Sequence, residues 1–402
     1  MKIEDRGEAI TSMQPMRIDI QSPRLPAIVD LAFELTAQSS AFHASLPSGI
    51  RSALADLVRA MNCYYSNLIE GHDTHPIDIE RALKNDFSDD PVKRDLQLEA
   101  KAHIAVQQWI DVGGLAGTAH TRTGLMETHA RFCANLPEDM LWVDIPGSRE
   151  RVRVAPGVLR THDVKVGHHV AVSPGAVPRF LEHFEWSYGR LGKGDAITAI
   201  AAAHHRFAWI HPFIDGNGRV ARLMSHAMLL DWLDTGGIWS VARGLGRSVE
   251  TYKQHLAACD LQRRNDLDGR GNLSEEALAA FSAYFLQICL DQVGFMRSLV
   301  EPGRLRTRIQ QWVAEEAALG HLSPKVSSIV DAVLYRGELP RGELKQVLGV
   351  TDRHARRLLA PLVDMGVLVA ESTRAPLRIA FPAALASRWM PGLFPDKPSE
   401  AL

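Results

Sequence analysis

Apolar residues recur at helical spacing through most of this 402-residue chain. Within 50–61 they fall at Ile50, Ala53, Leu54 and Leu57, the i, i+3, i+4, i+7 pattern of a helix that buries one face. That helix is expected to run to Glu70 and to stop at Gly71, a residue suited to a C-terminal turn. Pro76 opens a further helix. Upstream, residues 1–26 are polar, carry Pro15, Pro23 and Pro26, and read as an arm. Helical periodicity holds to about residue 112, and residues 147–175 break it. There Val164–Val172 alternates apolar and polar about a Gly-His-His turn, which predicts a short β-hairpin in a helical protein. Pro174–Pro178 closes it, and helices resume to about residue 300.

The segment from 322 to 382 has a different grammar. Helices are predicted over Val326–Tyr335 and Arg341–Leu348, then a tight turn at Gly349 and a third helix from Asp352. Pro361 is expected to kink or end that helix, because it removes a backbone donor. Short strands follow at Gly366–Glu371 and Leu377–Phe381, around a turn at Arg374–Pro376. This order resembles a winged helix-turn-helix. Arg353, His354, Arg356 and Arg357 lie on its third helix, where DNA phosphates or bases would be contacted. The charge from 321 onward is only +3, 11 Lys and Arg against 8 Asp and Glu, which leaves a protein-contact role equally open. After Pro391 the tail is expected to fray.

Composition changes this picture little. A hydrophobic share of 46% and a net charge of -2 suit a globular chain with two or three cores, and no basic excess demands nucleic acid or an anionic membrane. Cys63, Cys133, Cys259 and Cys289 lack metal or redox spacing and read as core thiols of a reducing compartment. The charged N-terminus has no apolar run after it, and no apolar stretch long enough to span a bilayer is read; the cytoplasm is the expected location, without a membrane partner. Asp266–Glu275 lacks full calcium-loop spacing, and Ser274 reads as the cap of the next helix. His204, His205 and His211 find no carboxylate or cysteine to complete a zinc set.

The densest chemistry lies in His211-Pro-Phe-Ile-Asp-Gly-Asn-Gly-Arg-Val-Ala-Arg222. Gly216 and Gly218 let backbone N–H groups approach an anion, and the helix expected to follow would turn its N-terminus toward phosphate. Arg219 and Arg222 are three apart and share a helix face. Asp215 is a hard oxygen ligand suited to Mg²⁺, and His211 can take a proton near neutral pH.

This stretch resembles the Fic family motif H-x-F-x-[D/E]-G-N-G-R-x-x-R, with every fixed position filled. A chance match to eight specified positions is on the order of 10⁻¹⁰ per window. The resemblance covers roughly residues 60–295 and implies a helical bundle with the motif between two central helices, and a mainly α protein overall. It implies transfer of AMP from ATP to a Ser, Thr or Tyr hydroxyl of a target protein. His211 would then be the base, Asp215 would hold Mg²⁺, and Asn217 with the backbone of Gly216 and Gly218 would hold the α-phosphate. Arg219 and Arg222 would take the β- and γ-phosphates, and Phe213 would fix the loop. Arg160-Thr161-His162-Asp163-Val164-Lys165-Val166 is similar to the family's flap, so Thr161, His162, Val164 and Val166 would pair with an extended target segment.

Ser66-Asn-Leu-Ile-Glu70-Gly71 matches the family's inhibitory pattern [S/T]-x-x-x-E-[G/N]. Ser66 and Glu70 share one helix face, and the resemblance implies that Glu70 pairs with Arg222 and blocks the γ-phosphate. The expected division is an N-terminal helical region with the inhibitory motif (1–112), a Fic core (113–300), a linker helix (301–321), a winged helix-turn-helix (322–390) and a tail (391–402). A family-like homodimer fits this scheme. Removal of AMP, UMP transfer, phosphate transfer, or a transcription regulator that uses the core as a nucleotide sensor are the rivals.

Overall fold

The computed structural model describes residues 3–144 and 151–395. The chain is mainly helical, with α1 (Leu25–Ala44), α2 (Ser48–Ile69), α3 (Pro76–Leu83), α4 (Pro91–Asp111) and α5 (Arg122–Cys133) before the first strands. Then come α6 (Val177–Tyr188), α7 (Lys193–Ile210), α8 (Asn217–Leu233), α9 (Val241–Arg247), α10 (Val249–Cys259) and α11 (Glu275–Leu299). The C-terminal part holds α12 (Pro302–Ala318), α13 (Val326–Arg336), α14 (Leu344–Leu348), α15 (Asp352–Asp364) and α16 (Ala386–Trp389). The chain divides into two compact units, and the divisions fall inside α1, α2 and α11 and on either side of 236–239. Unit one comprises 1–40, 62–235 and 240–292; unit two comprises 41–61, 236–239 and 293–402.

In unit one α7 and α8 pack along each other, with α4, α5 and α6 around them. Their shared core is aliphatic and aromatic: Phe180, Phe184, Ile200, Phe207, Val220 and Leu223 are all closed to solvent. α2 ends where expected, because Gly71 takes a positive φ of 88° that a residue with a Cβ resists. Asp90 caps α4 by accepting from the N–H groups of Val92 and Lys93. Two small antiparallel hairpins interrupt the helices. β1 (Trp142–Asp144) pairs with β2 (Arg151–Arg153), which the hydrophobic pattern does not predict. β3 (Lys165–Val166) pairs with β4 (His169–Val170), the hairpin that the alternation does predict. The N-terminal arm is docked rather than free. Glu8 accepts from both the N–H and the hydroxyl of Ser173 at 2.7 Å. Partial burial pushes the Glu8 carboxyl up, but those bonds outweigh it and hold the group at about 2.

The expectation of no apolar run of bilayer-spanning length is corrected by α11. Its 25 residues are long and apolar enough by length and composition. The physical reason is burial in protein: Phe281, Phe285, Cys289, Val293 and Met296 are closed to solvent within the fold. The Asp266–Glu275 segment holds the cap that Ser274 suggests. Asp268 accepts from Ser274 Oγ at 3.0 Å and from the Glu276 N–H at 2.7 Å, and Ser274 Oγ accepts from the Ala277 N–H.

In unit two α12 packs on α13 and α16, and Trp312 meets Trp389 edge to face at 5.2 Å. The segment expected as a linker helix therefore buries Leu305, Ile309, Trp312 and Val313. α14 ends at Gly349, φ 63°, and α15 follows. α15 does not stop at Pro361 but continues to Asp364. β5 (Leu368–Val369) pairs with β6 (Arg378–Ile379), and Leu377 bridges back to Leu339. These strands are shorter than expected. Leu393 is fully buried, so the chain stays packed past Pro391; the rest of the expected tail, 396–402, lies outside the described residues.

Candidate functional site

The site is built on the turn between α7 and α8. α7 ends at Ile210, and His211 caps it with φ 52° and ψ 60°, a left-handed conformation that costs a non-glycine residue roughly 1 kcal/mol or more. Gly216 reverses the chain with φ 80°, and α8 begins at Asn217. Asn217 closes the turn: its Oδ1 accepts from the Phe213 N–H at 2.9 Å, and its Nδ2 donates to the Phe213 carbonyl at 2.8 Å. Both ends of this amide are thus engaged by the loop itself. Phe213 is fully buried and stacks on His129 at 3.9 Å with the rings 5° from parallel.

His129 locks the loop from behind. Its Nδ1 accepts from the Gly157 N–H at 2.9 Å, so the ring proton sits on Nε2, which donates to the Asp215 carbonyl at 3.2 Å. Burial lowers its pKa to about 4, against the opposing pull of that carbonyl and of Asp215, and keeps the ring neutral. Arg160 fastens the hairpin segment to the same loop. Its N–H donates to the Pro212 carbonyl at 2.9 Å, its Nε to the His211 carbonyl at 2.7 Å, and its Nη1 to the His162 carbonyl at 2.9 Å.

His211 itself is arranged as an acceptor. Nδ1 lies 3.2 Å from the Ala208 carbonyl, which fixes the proton on Nδ1 and leaves the Nε2 lone pair free. Burial lowers its pKa to about 4, so the imidazole is neutral at physiological pH. Asp215 lies on the outer side of the loop with its side chain 55% exposed.

The two motif arginines point inward and each meets a carboxylate. Arg222 donates through Nε to Ser66 Oγ at 2.9 Å, and through Nη2 to the Ser66 carbonyl at 3.1 Å and to Glu70 Oε1 at 2.5 Å. Burial pushes the Glu70 carboxyl up, but the charges of Arg222 and Arg219 and the bond from Arg222 outweigh it, so its pKa lies below the ordinary range. Gly218 leaves room for this pair: a Cβ there would lie 2.5 Å from Glu70 Oε1. Arg219 pairs through Nη2 with the buried Glu99 on α4, and its Nη1 is 4.0 Å from Asp215. Glu99 Oε2 also meets His72 Nδ1 at 2.7 Å.

The structure therefore gathers His211, Phe213, Asp215, Gly216, Asn217, Gly218, Arg219 and Arg222 with Ser66, Glu70 and Gly71 in unit one. Thr161, His162, Val164 and Val166 follow Arg160 into the hairpin, where Val166 stays 47% exposed. Sequence reasoning missed Glu99, His72 and His129. A faint signal existed for Glu99: it lies at spacing i, i+4, i+8 with His103 and Gln107, a polar stripe that faces inward. His129 had none, since its partners come from 28 and 86 residues away.

Arg353, His354, Arg356 and Arg357 are elsewhere, on α15 in unit two. Arg353, Arg356 and Arg357 are exposed and have no carboxylate partner among the described residues. No group of three or more potential metal-binding His, Cys, Asp or Glu side chains exists among the described residues. Asp215 offers one exposed carboxylate on the motif loop. That suits Mg²⁺, which is held by one or two carboxylates together with substrate phosphates and water.

Residues 121–229 match the model of the Fic/DOC family. Over 76 residues the chain is 37% identical to "Protein adenylyltransferase Fic" of Drosophila willistoni and 36% identical to the protein of that name from Drosophila erecta. Each match takes in 18% of this chain and 15% of the relative, so the chain spans only a small part of those proteins. A crystal structure of a Fic family protein from Desulfovibrio desulfuricans G20 aligns over 90% of this chain and 98% of its own, with TM-score 0.52 and 19% identity, a likeness of fold.

Proposed function

With a Fic/DOC domain at residues 121–229 as the starting point, we propose that this protein transfers AMP from ATP to a hydroxyl of a target protein, and that Glu70 restrains the reaction. The observation that carries the reading is the pairing of a neutral His211, its Nε2 free, with the helix N-terminus at Gly216–Gly218 one short loop away. The target Ser, Thr or Tyr oxygen attacks the α-phosphorus. Its proton goes to His211 Nε2, the new O–P bond forms, and the bond to the β-phosphate oxygen breaks, releasing pyrophosphate. Backbone N–H groups at the start of α8 and the helix dipole stabilise the charge on the α-phosphate. Arg219 and Arg222 supply cationic clamps for the outer phosphates. Asp215 would hold Mg²⁺, which supplies charge neutralisation at the phosphates when bound. The exposed edge of the Thr161–Val166 hairpin segment would take the target as an added strand.

Glu70 occupies the guanidinium edge of Arg222 that a γ-phosphate needs. While it does, ATP binds out of line with the attacking oxygen. The test is incorporation of label from [α-³²P]ATP by wild type, Glu70→Gly and His211→Ala. Strong labelling by Glu70→Gly alone supports the reading. Loss of activity toward an AMP-modified substrate in Glu70→Gly would favour AMP removal.

One observation favours a second activity in unit two, DNA binding by a winged helix. From Glu301 onward, Arg304, Arg306, Arg336, Arg378 and Arg388 pair with carboxylates, and Arg308 and Arg341 bond to carbonyls. Arg353, Arg356, Arg357 and Arg374 do not pair among the described residues, and three of them share the face of α15 opposite Ala355, Leu359 and Leu362. A regulator that reads nucleotide through the Fic core and DNA through this face would need both features. Retention on a random duplex at low salt tests it; retention of proteins alone would mark a protein-contact surface instead.

A further inference from the structure

Arg219 does not stand free in the site. Its Nη2 is paired with Glu99, whose side chain is 1% exposed, and its Nη1 faces the outer carboxylate Asp215 at 4.0 Å. A buried carboxylate of this kind is strongly penalised by desolvation and persists only with its cationic partner in place. The same carboxylate holds His72, two residues beyond Glu70, through a 2.7 Å bond from Nδ1. Since Nδ1 lies 3.3 Å from Arg219 Nη2 as well, it cannot accept there while it donates to Glu99, so its proton is on the Glu99 side. Glu99 thus sits where the α2 C-terminal turn, α4 and α8 meet.

We propose that Glu99 is a positioning residue with two roles: it aims Arg219 at the phosphate side of the site, and through His72 it holds down the turn that carries Glu70. The inference rests on the transfer reading above and adds residues that reading does not use. Arg222 needs no such anchor, because Ser66 and Glu70 already fix it; Arg219 instead has the buried Glu99 as its close carboxylate partner, beside the Phe132 ring. The groups facing His72 are Glu99 from α4, Arg219 from α8 and Glu70 on its own turn. The bond to Glu99 raises the His72 pKa, against burial and Arg219. A raised histidine pKa means that the tether is at full strength below the ordinary imidazole range and weakens as pH rises through the raised value. Restraint by Glu70 should therefore relax with alkalinity. Neither Glu70, held ionised, nor His211, held neutral with its pKa at about 4, changes charge across that window.

The full-length protein provides the test in two measurements. First, the labelling rate of Glu70→Gly divided by that of wild type is followed from about pH 6 to about pH 9; the ratio cancels titration of ATP and of the target hydroxyl. It should fall several-fold as pH rises. His72→Gln should lower it at acidic pH and flatten it, with the Glu70→Gly/His72→Gln protein no faster than Glu70→Gly. Second, ATP affinity is measured by calorimetry with Mg²⁺ present. Glu99→Gln placed in Glu70→Gly should weaken ATP about tenfold, the loss of one charged phosphate contact. If Glu99→Gln leaves too much strain to fold, Glu99→Asp, with the charge kept and the reach shortened, carries the same expectation. A flat ratio in wild type together with unchanged ATP affinity in a folded Glu99 variant overturns the proposal. Absence of labelling by Glu70→Gly itself counts against the transfer reading instead, and the calorimetric arm still decides the role of Glu99.

Discussion

Glu70 Oε1 and Arg222 Nη2 meet at 2.5 Å although 152 residues separate them in the chain. The contact joins the turn just past α2 to the second turn of α8 and is backed by Ser66, whose hydroxyl and carbonyl both accept from the same guanidinium. In the transfer reading proposed above, this charged, planar pair competes with the terminal phosphate of the nucleotide for one guanidinium.

Removing the carboxylate should therefore release activity. Glu70→Gly is expected to label itself or a target from [α-³²P]ATP on the order of a hundredfold faster than wild type, the scale of a roughly 1 Å correction in phosphate position. Arg222→Ala should be inactive alone and in combination with Glu70→Gly. Equal rates for wild type and Glu70→Gly would reject restraint by this pair.

His211→Ala should fold normally and lose activity by a factor of about 10² to 10⁴ in the Glu70→Gly background, the usual contribution of a general base. Because burial lowers the His211 pKa to about 4, its unprotonated form persists through neutral pH, and the rate should fall only as acidity approaches that value. An inflection near the ordinary imidazole pKa that vanishes with His211 would contradict this environment.

Asp215→Ala should abolish the dependence of the rate on Mg²⁺ concentration while leaving thermal stability unchanged, since its side chain is exposed and its nearest cation is 4.0 Å away. A Mg²⁺ titration of both proteins reads this directly. An unaltered Mg²⁺ profile in the variant would remove Asp215 from the metal site.

His129→Ala should cost roughly 2 kcal/mol of stability, because the stack on the buried Phe213 is lost and the half-buried Gly157 N–H and the Asp215 carbonyl lose their ring partner. His129→Phe should recover the stacking share only. Urea denaturation of the three proteins separates the two contributions, and a wild-type midpoint in His129→Ala would show that the loop does not depend on this ring.

Arg353→Ala with Arg357→Ala should weaken retention on DNA and flatten its salt dependence by about one to two counterions, given that each arginine contacts a phosphate. Unchanged elution in a salt gradient would exclude α15 as a DNA-facing helix.

The local grammar of this chain was legible in its residues. Gly71 and Gly349 mark helix ends because only glycine takes positive φ without strain, and both do so. The alternation in Val164–Val172 marks a hairpin, and the 211–222 motif places imidazole, carboxylate, glycines and arginines along one loop and one helix face. Pro361 shows the limit of such reasoning: propensity predicts a kink or an end there, yet the apolar face of Ala355, Leu359 and Leu362 is buried and α15 does not end before Asp364. α11 shows another, since hydropathy alone does not distinguish a core helix from a membrane span. What only the tertiary structure decided is the set of partners. His129 beneath Phe213, Arg160 against the His211 carbonyl and Glu99 behind Arg219 come from elements remote in sequence. Periodicity records which face of a helix is buried, but it carries no information about which distant carboxylate or imidazole that face will meet; that is set when α2, α4, α5 and α8 pack and buried polar groups must find one another.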